Sequence, residues 1–194
     1  MKRLLLLPLV VAAAACGDSH VVVQATLDGE PVAGMPVWLL PYDRMALRDS
    51  LVQESDEPEP AIPAELIQEL ETVRAREAAG EADTLLAQVR LRRRMLEARI
   101  DSIRDARREW RDRIYAPLDS LARMREGELG VSARSDTTDA RGTARLPADE
   151  GRFWVWSVYV LPEAALEWSV PVQLRGDSAR VELSRENARE RRFY

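Results

Sequence analysis

The chain has 194 residues, 46% of them apolar and 31% charged, with 28 basic against 33 acidic side chains and a formal net charge of −5. That size fits one domain, or one domain carrying a large insertion, and the apolar share excludes wholesale disorder. The acidic balance argues against a general nucleic-acid binder, and a single cysteine and a single histidine remove most metal sites and every nucleophile that needs an imidazole beside it.

Met1-Lys2-Arg3 is a basic start, and Leu4 to Ala15 is an apolar run of twelve residues. That run is short of the ~20 residues a bilayer-spanning helix needs and has the length of a signal-peptide core. It ends in Ala13-Ala14-Ala15-Cys16. This stretch resembles the lipobox of bacterial lipoproteins, with Ala13 where that family usually has Leu. The resemblance implies cleavage before Cys16, a diacylglycerol thioether on its sulfur and acylation of the new amine. Gly17, in place of Asp, implies sorting to the outer membrane. The alternative is an ordinary secretory signal (1–15) followed by a chance cysteine. A lipidated chain would keep 194 − 15 = 179 residues with a charge of −5 − 2 = −7. Two or three acyl chains suffice for stable anchoring where one does not, and residues 16–19 would form the lipidated cysteine and its tether.

From His20 to Leu40 two β-branched runs flank Asp28-Gly29, a strong hairpin dipeptide, and Pro31 and Pro36 oppose a helix. Residues 41–131 have a different texture. A short amphipathic segment over 43–54 stops at Pro58 and Pro60. Pro63 then opens a helix over 62–78 with Leu66, Leu70 and Val73 on one face. The tip falls at Ala79-Gly80-Glu81. From about 82 to 125 a heptad set reads Ala82, Val89, Leu96, Ile103, Trp110, Pro117, Met124, and its partner set reads Leu86, Arg93, Ile100, Arg107, Ile114, Leu121. That is a coiled-coil seam, which Pro117 should kink or break.

Charge suggests what the seam packs against. Glu54 to Asp83 holds ten acids and two arginines, net −8; Arg90 to Arg113 holds ten arginines and five acids, net +5. Folded back at Gly80, the acidic arm lies along the basic one, and the chain returns to its starting point as an insertion between neighbouring strands requires. The competing arrangement is a homo-oligomer, a parallel dimer through 82–125. In either, Arg93 and Arg107 must meet acids or snorkel.

Strand texture resumes over 132–187: a turn at Asp139 to Gly142, a short strand to Pro147, a turn at Gly151, a long aromatic strand, and a strand pair around Arg175-Gly176-Asp177. Residues 188–194 read as a tail. Two stretches, Gly29-x-Pro31-Val32-x-Gly34-x-x-Val37 and Thr138-Asp139-x-x-Gly142-x-Ala144-x-Leu146-Pro147 with Gly151-x-Phe153-x-Val155, resemble carboxypeptidase regulatory-like domains. The resemblance implies an α+β chain built on a small antiparallel seven-stranded, transthyretin-like sandwich, interrupted by the helical hairpin. It also implies a scaffold or binding module with no shared active site.

In the aromatic strand, residues 153, 155, 157 and 159 face one side and 154, 156, 158 and 160 the other. Both sides are apolar, so one side should be the sandwich core and the other the hairpin base or a ligand. Trp38, Trp154, Trp156 and Trp168 are therefore the candidate binding surface. The arginine runs 90–94 and 104–111 read as a solvated coiled-coil face. No catalytic residue, metal set or cofactor motif stands out. The expected function is that of a non-enzymatic envelope lipoprotein that contacts another envelope protein through its hairpin. A glycan-binding module using the Trp-rich strand is the alternative, and an adaptor-like subunit of a transport assembly, by architecture alone, is a weaker one.

Overall fold

The computed structural model describes residues 19–80 and 83–192. The expected signal segment, Cys16 with Gly17 and Asp18, the tip residue Glu81, the heptad residue Ala82 and residues 193–194 lie outside them. Among the described residues there are nine strands in two sheets and four α-helices. In the first sheet β1 (His20–Leu27) is flanked by β5 (Thr143–Pro147) and β8 (Ser178–Leu183), with the two-residue β2 (Glu30–Pro31) on its end. The second sheet runs β4 (Arg134–Thr137), β3 (Pro36–Leu40), β6 (Gly151–Val160), β7 (Ala164–Leu174), β9 (Arg189–Arg192). Every pairing is antiparallel except β1 with β8, which is parallel.

Alternation builds the core. Val21, Val23 and Ala25 of β1 turn inward at every second position and meet Val37, Leu39, Phe153, Val155, Leu166 and Trp168 of the opposing sheet. Asp28 and Gly29 both take positive φ (52° and 88°), the conformation that a two-residue hairpin loop between Leu27 and Glu30 requires. At Gly142 (φ 73°) a Cβ would stand 2.4 Å from the Ala25 carbonyl oxygen, so only glycine lets these backbones approach. Asp139 holds that turn by accepting from the backbone N–H groups of Arg141 (2.8 Å) and Thr143 (2.9 Å).

Two details correct the expected architecture. The strands number nine among the described residues, not seven. The expected tail contains β9, whose Arg192 to Arg189 pair with Ala164 to Glu167 of β7. Its sequence, Arg-Glu-Arg-Arg, is unlike a strand by propensity, but charge is what an edge strand carries to discourage further pairing.

The insertion leaves and returns on adjacent strands. β3 and β4 pair from Pro36↔Thr137 to Leu39↔Arg134, so the helices enter after Leu40 and rejoin one strand away. The buried Thr138 clamps this base: its hydroxyl donates to the Val32 carbonyl (2.6 Å) and accepts from the Met35 N–H (2.9 Å). α1 (Arg44–Gln53) starts at Asp43, whose carboxylate accepts from the N–H groups of Met45 and Ala46. α2 (Ala64–Ala78) then runs antiparallel to α3 (Asp83–Tyr115), and α4 (Leu118–Leu129) follows a break at Ala116-Pro117.

The α2–α3 hairpin forms within one chain. Leu70 and Val73 pack on Leu96 and Ile100, with Leu66 and Val89 beside them. Acids ascending the first arm meet arginines descending the second: Glu57 with Arg113, Glu59 with Arg111, Glu69 with Arg92, Glu77 with Arg90 and Arg93. The two seam arginines find partners. Arg93 donates to Glu77 (2.8 Å) and Glu97 (2.8 Å), and Arg107 donates to the Pro60 carbonyl (2.7 Å). Below α2, the extended segment 55–63 covers the seam in place of a helix, and the Trp110 indole N–H donates to the Glu57 carbonyl (3.0 Å). The heptad reading fails past the Pro117 break. There the phase resets, Leu118 and Ala122 turn inward, and Met124 is 48% exposed.

Candidate functional site

The outer face of the β3–β6–β7 sheet carries the site. Phe153 and Val155 of β6 point into the sandwich, so Trp154, Trp156 and Val158 point the other way, toward the helices. Trp38 lies directly opposite Trp156 across β3 and β6, and their rings tilt together with centroids 4.8 Å apart. α1 and α4 cover part of this face, where Leu40, Tyr42, Leu47, Ala122 and Ala133 pack with the two tryptophans. This second, smaller core explains why β7 buries five residues in a row, Ala164 to Trp168: both of its faces are covered.

Polar groups fix the platform. The Trp156 indole N–H donates to Glu167 (3.1 Å), a carboxylate only 5% exposed. Glu167 also accepts from Arg48 of α1 at 2.8 Å, so a buried ion pair ties the helix to the sheet. Asp43 accepts from the Ser169 hydroxyl (2.6 Å) while capping α1, which locks that helix over β7. The Arg44 guanidinium sits 4.9 Å above the Trp156 ring and reaches Asp119 of α4 (3.4 Å). Between these groups is an open cavity of about 410 Å³ walled by Trp38, Tyr42, Arg44, Asp119, Arg123 and Trp156. Burial and the charge of Glu126 push the Tyr42 hydroxyl above the ordinary phenol range, partly offset by Arg44, so it stays a neutral donor and acceptor at physiological pH.

The four expected tryptophans separate into three environments. Trp38 and Trp156 form the platform. Trp154 stands apart under the Arg152 guanidinium, 4.8 Å from its ring centroid. Trp168 is 1% exposed in the sandwich core, where its indole N–H donates to the Ser184 carbonyl (2.8 Å), and it is no part of a surface. The reason is strand parity: Trp168 pairs with Ser157, on the inward face of β6. At the tip, Gly80 takes the left-handed conformation (φ 70°) and Ala79 closes α2 through the Ala75 carbonyl. Sequence reading missed Tyr42, Arg44, Arg48 and Glu167. The signal that could have found them is Tyr42-Asp43-Arg44, an N-cap flanked by a phenol and a guanidinium just where the strand ends.

Among the described residues no group of three or more His, Cys, Asp or Glu side chains is placed to hold a metal ion, and no helix is long and apolar enough to cross a membrane. Comparisons with protein-family models, with curated proteins and with solved structures find no match.

Proposed function

We propose that this chain is a non-enzymatic, lipid-anchored envelope module in which a transthyretin-like sandwich holds a helical hairpin out for contact with another envelope protein. Cys16 carries the lipid, and the sandwich following the short tether sets the base of the arm. The observation that supports the docking role is the outer surface of α3. Leu91 and Met95, one turn apart and facing away from α2, are 54% and 56% exposed, and Leu85 nearer the tip is 51% exposed. Apolar side chains of that size on a solvent face, bordered by arginines, suit a partner surface with apolar and acidic groups. The arginine runs favour this reading over nucleic acid, since Arg90, Arg92, Arg93, Arg111 and Arg113 already face the acids of the first arm.

A photo-crosslinking residue at Leu91 or Met95, in cells that carry the wild-type anchor, should give one discrete protein adduct. The same probe at Glu150 on the sandwich should give none. No adduct from any arm position would remove the docking role.

A second reading rests on the Trp38–Trp156 cavity. Paired aromatic faces with Arg44, Asp119 and Arg123 at the rim have the composition of a sugar subsite. Trp156→Ala and Trp38→Ala should then abolish retention on a glycan array while the sandwich stays folded. Equal retention by both variants would dismiss it.

A further inference from the structure

A second cavity, of about 410 Å³, lies where the arm meets the sandwich. Its walls come from five places in the chain: α1, the segment Glu59 to Ala61, the C-terminal end of α3, Glu167 of β7, and β9. Among the described residues that line it, five arginines face four acids, an excess of one positive charge. Most of these charges are matched. Arg48 pairs with Glu167 (2.8 Å), Arg189 with Asp49 (2.8 Å), Arg111 with Glu59, and Arg107 lies 3.7 Å from Glu59 while donating to the Pro60 carbonyl. Glu190 is engaged by Arg185 at 3.7 Å.

Among the described residues, Arg191 is the lining arginine with no salt bridge to an acid. Its Nε is buried and has no hydrogen-bond partner among the described residues. A buried, unmatched guanidinium N–H is costly, and native proteins satisfy such groups with protein, water or a bound ion. The acid with most influence on it, Glu167, is already held by Arg48 and by the Trp156 indole. Burial, and then the neighbouring charges of Arg111 and Arg48, lower the pKa of Arg191 from its ordinary value.

We propose that this cavity binds a small organic monocarboxylate, with its carboxylate on Arg191 and the charge field of Arg48 and Arg111, and its apolar body against Val52, Pro60 and the Tyr115 ring. Arg191 is the lining arginine without an acid or carbonyl acceptor among the described residues, and a single carboxylate supplies that acceptor. The planar guanidinium fork matches the two carboxylate oxygens. A volume of this size lies within the usual range for small-molecule sites. The site is independent of the docking arm's outer face, so either assignment can fail without the other.

The test uses the folded chain at low ionic strength, with benzoate as probe and the Arg191 Nε–Hε resonance as readout. Benzoate should shift that resonance saturably in the low-millimolar range or tighter, and more tightly than acetate, which lacks the apolar body. Arg191→Gln should weaken benzoate at least about tenfold, while Arg175→Gln, on the exposed turn before β8, should leave it unchanged. A linear, non-saturating shift up to tens of millimolar benzoate would overturn the proposal and mean that water alone fills the cavity. Saturation by inorganic phosphate but not by benzoate would overturn the ligand class. The wild-type resonance answers the question even if Arg191→Gln fails to fold.

Discussion

Among the described residues the sandwich buries eighteen in one cluster shared by both sheets, whereas the cluster between α2 and α3 has four along a seam one side chain deep. Around that thin seam the described residues make seven cross-arm acid–arginine pairings, while the sandwich core contains almost no charge. The difference teaches how stability is distributed. Area burial makes the sandwich cooperative, but exposed ion pairs individually contribute only ~0–1 kcal/mol and mainly set register. The arm is therefore the part that can open locally while its base stays folded, a property suited to a segment that engages a partner.

Substitutions should separate the two regions. The largest effect is expected from Trp168→Ala in the sandwich core. Losing a buried indole and its bond to the Ser184 carbonyl should cost about 3–5 kcal/mol and lower the whole unfolding transition seen by near-UV circular dichroism. Leu96→Ala in the arm should cost about 2 kcal/mol, the low end for such a change because a shallow seam can collapse around the gap. Its effect should be local: faster amide exchange across α2 and the facing half of α3, with β6 and β7 unchanged. Equal exchange in both regions would mean that arm and sandwich unfold as one unit.

Smaller effects probe the charges. Glu69→Gln should cost no more than about 1 kcal/mol, and the difference from wild type should vanish at high salt, since the Glu69–Arg92 pair is half exposed. Asp139 gives the last contrast, on the sandwich side. Hydrogen bonds from the Thr143 and Arg141 backbone hold its carboxyl below the ordinary carboxylate range. Its folded pKa is depressed, so its contribution is present above the unfolded value of about 4 and is lost as pH falls through the folded value. Thermal melts between pH 6 and pH 3 should show a shallower acid dependence in Asp139→Asn than in wild type.

Much of this division is legible in the chain itself. Asp28-Gly29 announces the first hairpin, Pro117 the helix break, and the opposite charges of 54–83 and 90–113 the antiparallel fold of the arm. These are local signals, or sums of them. What escapes is non-local. β9 hides because an edge strand made of charged residues has no alternation to detect. Trp168 reads as surface because periodicity gives the two faces of β7 but not which one the core occupies. The parallel β1–β8 pairing and the Arg191 cavity join residues more than a hundred positions apart, and no spacing rule connects them. The anchor proposed at Cys16 is the reverse case: its signal is a purely local motif that owes nothing to the fold.

Position at the membrane is the premise on which the proposed docking role depends, because an arm of fixed reach is useful only from a fixed base. Growth with an alkyne-tagged palmitate, followed by click labelling and membrane fractionation, tests it directly. The wild-type chain should carry the label and sediment with membranes, while Cys16→Ser should do neither. Equal labelling of the two, or an unlabelled wild type in the soluble fraction, would contradict a lipid-anchored module.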